Sequence, residues 1–425
     1  MERKLIKNAT VFDGKSSRLK EHANIVIEGN LVKEIYVGEI SEEGFAEIYD
    51  AKDHFVMPGL TDAHVHVSHN VPIGSEEQRI DDMAVRSVRY AYDMLMRGFT
   101  TLRDAGGVTV GLKRNIDNGY LDGPRIFPSN AYISQTCGHG DCRKSRAETR
   151  LPDGNFLNAT LQYRANYIAD GPAEMLRAVR EQLFLGASQI KLMAGGGISS
   201  RYDPLDTVQF TYEEMKAAVD AAEDYGTYVM AHLYTPKAMQ RAAKAGIKSF
   251  EHATMMDDET GRIIRDLGIW VMPGPQSQRP VTSHGPQPDH VIRKAERVKA
   301  GCEIATEVIN KYDLPIVFGT DSFGDPHFAE EHQLEDFQYF KRRFGSFKGL
   351  VAATGNAHEL FKLSTYQNPY PEGKIGVLEA GSFADILIVN GNPAENLDVL
   401  SVQDNMLFIM KNAKVYKNRL YQEIL

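Results

Sequence analysis

Six side chains that can bind a metal each follow a short apolar run. A buried strand that ends in one polar residue delivers that side chain at its C-terminal tip, and parallel barrels build their active sites from such tips. Because these residues come from separate segments, they can meet only in a fold whose strand ends gather at one point. The pattern predicts a metal-dependent hydrolase. The residues are His64 and His66 in PGLTDAHVHV, Lys191 in SQIKLMAGGG, His232 in VMAHLY, His252 in SFEHATM and Asp321 in IVFGTDSFG.

The histidines have a metal-binding and a structural interpretation. His64 and His66 are two positions apart, so on a strand both project from the same face. Imidazole nitrogens are borderline-soft donors, and such a pair suits zinc or a similar divalent ion. An isolated pair is weak support, because a strand histidine is often an ordinary hydrogen-bonded residue. His232 and His252 end two further predicted strands and would complete a second metal site, although each alone is open to the same structural interpretation.

Lys191 also has two interpretations, and they predict different sites. A free ammonium group repels a divalent cation, and burying it without a partner costs on the order of several kcal/mol. Lys191 is therefore either a salt-bridged residue at a barrel mouth or an amine that has reacted with carbon dioxide. The product of that reaction is a carbamate, whose two oxygens can bridge two metal ions. Beside four histidines and Asp321, we favour the N6-carboxylated lysine.

Asp321 lies in a Gly-Thr-Asp triplet at the end of the last predicted strand of the central region. A carboxylate there can take a proton from the attacking water and pass it to the leaving group, provided that adjacent cations keep it ionised at rest. Metal binding lowers the pKa of water from about 15.7 towards about 7, which makes water a competent nucleophile near neutral pH. We therefore expect two divalent metal ions as cofactors, with zinc as the first choice.

Strands and helices alternate through the central part of the chain, which predicts βα units around a parallel sheet. One helix is marked by the capping-box pair Thr211 and Glu214, by an apolar face that includes Met215, and by Gly226 after its end. The alternation predicts an α/β fold of the (β/α)₈ TIM-barrel type. An open doubly wound sheet is the alternative, but no glycine-rich dinucleotide motif follows the first strand. The predicted strands centre on 60–66, 99–104, 125–133, 188–194, 227–233, 247–252, 268–273 and 315–321.

Short alternating segments at both ends of the chain predict strands that are too few to bury a core separately. We expect residues 1–56 and 367–425 to form one small β-sandwich domain, beside a barrel domain of residues 57–366. Residues 7–12 (KNATVF) are also similar to residues 411–416 (KNAKVY), although two polar-edged strands can look alike by chance.

Composition limits the partners of the chain. Its 425 residues, 42% hydrophobic and 25% charged, suffice for a barrel plus a smaller domain. The net charge of −9 argues against nucleic acid and anionic membranes as partners. No apolar run approaches the roughly 18 residues of a membrane helix, and MERKLIKN lacks an apolar signal core. Three cysteines in this length fit a reducing compartment, so we expect a cytoplasmic protein. We also expect a small-molecule substrate and a homo-oligomer of undetermined size.

Together these motifs resemble the amidohydrolase superfamily, in the branch that contains imidazolonepropionase-like proteins and metal-dependent prolidases. The resemblance extends through PGLTDAHVHV, GFTTLRDAGG, QIKLMAGGG, AHLYTP, FEHA and GTDS to GVLEAGSFADILIVNGNP. Imidazolonepropionases typically lack the bridging lysine and use one metal ion, so Lys191 favours the binuclear, peptidase-like branch. The ligands that the resemblance implies are His64, His66 and Asp321 for one metal ion, His232 and His252 for the other, and carboxylated Lys191 as the bridge.

Two further positions match that branch. Tyr234, two residues after His232, matches a tyrosine that polarises the scissile carbonyl, where a phenol steadies the developing oxyanion. His139, in SQTCGHGD, matches a loop histidine that contacts the carboxylate end of the substrate. Ordinary packing at the barrel mouth is the alternative for Tyr234, and a solvated loop position is the alternative for His139.

The sequence therefore predicts a binuclear metal hydrolase that cleaves an amide bond. The best substrate class for such a dipeptidase or carboxypeptidase is an Xaa-Pro dipeptide, a related dipeptide or an N-acyl amino acid. An amidase acting on cyclic amides, or on xenobiotics such as N-acyl-phenylalanine toxins, would share every catalytic residue. A deaminase fits less well because deaminases of the superfamily usually keep one metal ion, and a non-catalytic assembly protein is expected to have lost ligands. Residues 137–171 and 273–290 are expected to shape the pocket.

Overall fold

The computed structural model describes residues 2–69, 80–141, 143, 165–200, 202–281, 287–323 and 326–421. Parts of both predicted pocket loops, namely residues 142, 144–164 and 282–286, lie outside the described residues. The strands are β1 (Arg3–Val11), β2 (Lys20–Glu28), β3 (Leu31–Val37), β4 (Glu47–Asp50), β5 (Phe55–Pro58), β6 (Leu60–Val65), β7 (Phe99–Asp104), β8 (Arg125–Pro128), β9 (Tyr132–Ser134), β10 (Asn166–Ile168), β11 (Ile190–Met193), β12 (Val229–Leu233), β13 (Ser249–His252), β14 (Trp270–Pro273), β15 (Ile386–Val389), β16 (Met406–Lys411) and β17 (Lys414–Asn418).

Helices flank the strands of the central region. No α-helix in the described part of the chain combines the length and the apolar character needed to cross a membrane. The α-helices are α1 (Ile80–Met96), α2 (Val110–Asp117), α3 (Pro172–Phe184), α4 (Tyr212–Asp224), α5 (Pro236–Ala245), α6 (Asp258–Leu267), α7 (Asp289–Lys311), α8 (Pro326–Phe344), α9 (Ser346–Ala352) and α10 (Gly355–Phe361).

Helix α4 begins and ends where the side-chain pattern predicts. The Glu214 backbone N–H donates to Thr211 Oγ1 at 3.3 Å, and the Thr211 N–H donates to the Glu214 carboxylate at 2.7 Å. This reciprocal pair confirms the predicted capping box. Met215 on the inner face is fully buried, and Gly226 follows the helix with a φ of 69°, which glycine adopts without strain.

Two sheets of parallel strands form the centre, one with the order β6-β7-β8 and one with the order β10-β9-β11-β12-β13-β14. Residues 315–322 lie between the edge strands β14 and β6. On one side the Val317 N–H donates to the Val271 carbonyl at 3.0 Å, and on the other the Ala63 N–H donates to the Phe318 carbonyl at 2.8 Å. Because parallel strands run in the same direction, their C-terminal ends lie on one side of the molecule.

The third predicted strand, residues 125–133, is divided into β8 and β9. Asn130 between them has a φ of 57°, and this left-handed conformation cannot continue an extended strand. β8 pairs with β7, whereas β9 pairs with β10 and β11, so the break lies between the two parallel sheets. The prediction of one continuous strand is therefore wrong at this point.

The last predicted strand of the central region, residues 315–321, is also not a regular strand. Among the described residues, Ile316 forms an isolated bridge to Val271, and Ser322, just past the predicted end, forms one to Val65, so no ladder is present. The Thr320 N–H donates to the Asp62 carboxylate at 3.1 Å, so a side chain replaces the backbone partner that a ladder would supply. The segment still lies where the missing strand was predicted, and it carries Asp321.

Strands from both ends of the chain, which were predicted to meet in one small β-sandwich, share one eight-stranded sheet. Its order is β17-β16-β15-β5-β1-β2-β3, with β4 paired beside β1. The similar segments 7–12 and 411–416 do not occupy equivalent positions, because the first lies mostly in β1 and the second spans the turn between β16 and β17. They share a left-handed asparagine, Asn8 at φ 53° and Asn412 at φ 56°, a conformation that asparagine tolerates well.

β5 and β6 connect this mixed sheet to the first predicted metal ligands. β5 pairs with β1 and β15, and the chain then passes through Gly59 into β6, which carries His64. A Cβ atom at Gly59 would lie 2.0 Å from Thr100 Oγ1. Only glycine allows this close approach, so a side chain at this position would displace the strand that leads to His64 and His66.

Candidate metal centre and active site

The structure brings the predicted ligands together. His64, His232 and His252 lie at or near the C-terminal ends of β6, β12 and β13, and Lys191 reaches the same place from the second position of β11. Lys191 Nζ lies 3.2 Å from His64 Nε2. The ligand atoms of His64, His252 and Asp321 all lie within 4.8 Å of one another. The ring centroid of His232 is 4.7 Å from that of His252. Side chains from five distant segments therefore meet at one point, which is the geometry that a metal centre requires.

Two of these side chains reach the site through an unusual backbone conformation. Side chains alternate between the faces of a regular strand, so His252 would point away from the face to which its neighbour Glu251 points. Instead His252 has a φ of 72°, and Asp321 has a φ of 50°. Such left-handed residues cost roughly 1–3 kcal/mol each and cluster at functional sites. The backbone at these positions directs an imidazole and a carboxylate to the same place.

His64, His66 and Asp321 have the donor pattern of a cation site. His66 Nδ1–H donates to the Gly106 carbonyl at 2.9 Å, and His64 Nδ1–H donates to the Glu251 carboxylate at 2.6 Å. In the neutral imidazoles both Nε2 atoms present lone pairs, and both lie 3.3 Å from Asp321 Oδ1. Lone pairs that face a carboxylate oxygen repel it unless a cation lies between them. Two imidazole nitrogens and one carboxylate oxygen suit a zinc-like divalent ion, so the residues fit this cofactor.

His232 and His252 form the adjacent part of the site. His232 Nε2–H donates to the Gly196 carbonyl at 3.3 Å, which leaves Nδ1 free for a metal. His252 Nδ1 is 2.6 Å from Nε2 of the Gln276 amide, while Oε1 of this amide is buried without a hydrogen-bond partner. A half-turn of the amide brings Oε1 to Nδ1–H and leaves His252 Nε2 free. Burial lowers the pKa of both histidines well below the usual range, so both are in the neutral, metal-binding form.

Lys191 is 1% exposed and forms no ion pair within the described ranges of the chain. The salt-bridged interpretation of this lysine therefore finds no support in the structure. Burial lowers the pKa of Lys191 to about 8, although the nearby carboxylates of Glu251 and Asp321 act in the opposite direction. This amine therefore loses its proton more readily than an exposed lysine does, and the neutral amine is the form that reacts with carbon dioxide.

Tyr234 and His139 lie against the second pair of histidines. The Tyr234 ring centroid is 4.8 Å from that of His232 and 5.4 Å from that of His252. Burial raises the pKa of Tyr234 above its usual range, so its phenol stays protonated and can donate a hydrogen bond. The His139 ring stacks on the His232 ring at 4.2 Å, and its Nδ1 lies 2.8 Å from Ser200 Oγ. Both side chains therefore lie against the candidate ligands His232 or His252.

Three buried charged residues that position the site were not predicted. Glu251 contacts His64, and Arg103 contacts Glu251 at 2.9 Å. Burial raises the pKa of Asp62 to about 6, and its carboxylate accepts hydrogen bonds from the backbone of His64 and of Thr320. The sequence does show that each of these three charged residues interrupts or follows an apolar strand segment. It does not show which residue each of them contacts, because those contacts arise only in the folded chain.

Comparison with known proteins supports one family over nearly the whole chain. The model of the amidohydrolase family matches residues 55–416. Ochratoxinase of Aspergillus niger is 29% identical over 391 residues, which cover 85% of this chain and 75% of that protein. The structure of a prolidase in complex with N-methylphosphonate-L-proline has a TM-score of 0.88 at 30% identity and covers 98% of this chain and 100% of that one. A Xaa-Pro dipeptidase with methionine bound in its active site has a TM-score of 0.85 at 30% identity, again with 98% and 100% coverage.

These similarities include both the parallel strands with the candidate ligands and the mixed sheet from the chain ends. The chain accordingly has the α/β fold of amidohydrolases. The predicted relationship to this superfamily, and the predicted hydrolysis of amide C–N bonds, are confirmed. This chain belongs to the amidohydrolase family, in its prolidase-like branch.

Proposed function

We propose that this enzyme is a binuclear metal-dependent dipeptidase or carboxypeptidase. Its substrates are Xaa-Pro dipeptides, related dipeptides and N-acyl amino acids with a free carboxylate. The observation that carries the proposal is the approach of Asp321 Oδ1 to both His64 Nε2 and His66 Nε2 at 3.3 Å, an arrangement that calls for a cation. The similarity to a prolidase and to a Xaa-Pro dipeptidase supports the choice of substrate class.

The residues would hold two divalent ions, with zinc as the first choice. Lys191 would bridge the ions as an N6-carboxylate, which forms when its amine attacks carbon dioxide, makes the N–C bond and releases one proton. The contact of Lys191 Nζ with His64 Nε2 supports this assignment, because it brings the amine to the ligand group. The proposed ligands are His64, His66 and Asp321 for one ion and His232 and His252 for the other.

Different side chains have different roles in amide hydrolysis. Bound divalent ions would supply Lewis acidity and a water that is acidic enough to attack near neutral pH. Asp321 accepts the proton of the attacking water and delivers it to the nitrogen of the leaving amine. Tyr234 donates its phenolic hydrogen bond to the carbonyl oxygen as that oxygen becomes negative. His139 contacts the substrate carboxylate, and its stacking on His232 keeps it beside the reacting bond.

Tyr234→Phe tests the oxyanion role. We expect turnover to fall by roughly a hundredfold or more with little change in KM, because the lost hydrogen bond strengthens only as the transition state forms. Steady-state kinetics with one good dipeptide substrate measure both constants. Tyr370→Phe is the matched control, since Tyr370 is another buried tyrosine whose hydroxyl contacts Asp117 at 3.0 Å. Equal kinetics in both variants would reduce Tyr234 to a packing residue.

A second candidate is an amidase that acts on N-acyl-phenylalanine toxins. The similarity to ochratoxinase of Aspergillus niger over 85% of this chain favours it. A cyclic-amide hydrolase would use the same side chains. A deaminase or a non-catalytic assembly protein fits less well, because all six candidate ligands are present and lie together.

A substrate screen decides between these candidates. The metal-loaded enzyme is assayed with an Xaa-Pro dipeptide library, a set of N-acyl amino acids that includes N-acyl-phenylalanines, and a set of lactams. The proposal predicts the highest kcat/KM for dipeptides with a free carboxylate, and at least a tenfold loss when that carboxylate is amidated. Higher kcat/KM for lactams, or for amides without a carboxylate, would overturn the assignment of the substrate class.

We infer that the two parallel sheets and residues 315–322 close into one (β/α)₈ barrel of residues 57–366. Hydrogen bonds from residues 315–322 to both β14 and β6 support closure. Residues 1–56 and 367–425 would form the second domain as a small β-sandwich. A cytoplasmic location and a homo-oligomer remain predictions, which fractionation and light scattering test.

A further inference from the structure

A fully buried ion pair lies next to the metal site. Arg103 on β7 and Glu251 on β13 are both 0% exposed. A guanidinium group has five N–H donors, and in this structure all of them find an acceptor. Arg103 donates from Nε to Ala63 O at 2.6 Å, from Nη1 to Tyr228 Oη and Ser249 Oγ at 3.1 Å each, and from Nη2 to the two carboxylate oxygens of Glu251 at 2.9 and 3.1 Å.

Glu251 connects this ion pair to His64. Its Oε2 lies 2.6 Å from His64 Nδ1 and also accepts from Arg103. A carboxylate that is held by a guanidinium group only accepts hydrogen bonds, so His64 carries its proton on Nδ1. His64 Nε2 is left with a lone pair, and this nitrogen is the one that faces Asp321 and Lys191. The tautomer of His64 therefore follows from the position of Glu251.

We infer that Glu251 is a positioning residue that holds His64 in its metal-binding tautomer, and that Arg103 keeps Glu251 in place. The inference rests on the metal centre of the proposed function and extends it beyond the ligands. A group that orients a ligand histidine through its distal nitrogen commonly changes metal affinity by about 10–100-fold when it is replaced. Glu251 also explains why a fully buried arginine occupies the strand interior. Each of the two buried charges compensates the other, and removing one would leave an unpaired charge in the core.

Glu251→Gln tests the inference with little change in side-chain volume. Arg103 still directs its N–H groups at this position, so the one remaining carbonyl oxygen turns towards Arg103 and the amide nitrogen turns towards His64. That amide then donates to Nδ1, which moves the imidazole proton to Nε2 and blocks the ligand. We expect the affinity for Co²⁺, measured by competition with a chromophoric chelator, to fall about 10–100-fold. The visible absorption of the cobalt protein is expected to change as well.

Asp385→Asn is the matched control for loss of a buried charge. Asp385 pairs with Arg125 beside the mixed sheet, and their side chains are 6% and 4% exposed. We expect both variants to lower the unfolding temperature, but only Glu251→Gln to weaken Co²⁺ binding. Unchanged Co²⁺ affinity in Glu251→Gln would overturn the inference and leave the proposed function intact. A wild-type chain that binds no Co²⁺ would overturn both.

The wild-type protein offers a second test that does not depend on the folding of a variant at position 251. In metal-free protein with ¹⁵N-labelled histidine, the His64 signals can be assigned by their loss in His64→Asn. We expect their chemical shifts and couplings to show a proton on Nδ1, the nitrogen that contacts Glu251. A His64 ring without a proton on Nδ1 in this state would contradict the role of Glu251, whatever the affinity for metal.

Discussion

Lys191→Ala is expected to lose most of its bound metal and on the order of a thousandfold or more in turnover. The proposed carbamate would supply one oxygen to each metal ion, so its removal is expected to weaken both sites at once. Lewis-acid stabilisation of the transition state contributes several kcal/mol, and each 1.36 kcal/mol corresponds to about tenfold in rate. Elemental analysis and steady-state kinetics on the same preparation measure the two losses together.

The chain provides a close control for this variant. Lys411 is another buried lysine, with 8% exposure and a pKa that burial lowers to about 8, but its Nζ donates to the Gly123 carbonyl at 2.7 Å. Lys411→Ala is expected to lower stability while keeping metal content and turnover. Short carboxylic acids are expected to restore part of the activity of Lys191→Ala, because they can occupy the space of the lost carbamate. Unchanged turnover in Lys191→Ala would show that the carbamate assignment is wrong.

Asp321→Asn is expected to retain much of its metal and to lose about 10²–10⁴-fold in turnover, the usual range for a lost general acid–base group. Asparagine suits this test because it tolerates the left-handed backbone that Asp321 adopts at φ 50°. The amide can still offer an oxygen to a cation, but it cannot accept the proton of the attacking water. Metal content and kcat are the two measurements.

The two measurements on Asp321→Asn separate the roles of the side chain. Retained metal with lost turnover supports proton transfer by Asp321. A loss of metal in proportion to the loss of turnover would mean that Asp321 is a ligand without a separate catalytic role. Near-normal turnover would remove Asp321 from the mechanism altogether.

Most of the site could be predicted because its residues follow a simple positional rule. His64, His232 and His252 each come at or near the end of a short apolar strand, and the strands of a parallel sheet end on one side. Lys191 departs from this rule, because it is the second residue of β11. To apply this rule, one needs only the pattern of apolar and polar residues within each segment, and that pattern can be read from the sequence. Tyr234 and His139 were different, because only the resemblance to a family identified them.

What could not be predicted depends on contacts between distant segments. Residues 315–321 look like a regular strand, yet Thr320 donates to Asp62 and interrupts the ladder. Arg103 and Glu251 are far apart in sequence, so each resembles an isolated charge in an apolar strand until the fold pairs them at 2.9 Å. Polar partners of this kind are specified by three-dimensional packing, and no periodicity in one segment encodes them.

The decisive measurement for a binuclear metal hydrolase is the metal content of the purified chain, followed through chelation and reloading. We expect about two equivalents of divalent metal per chain, with activity lost on chelation and fully restored only after the second equivalent is added back. A metal-free chain that hydrolyses its amide substrate at the full rate would show that the bound metal ions are not part of the reaction.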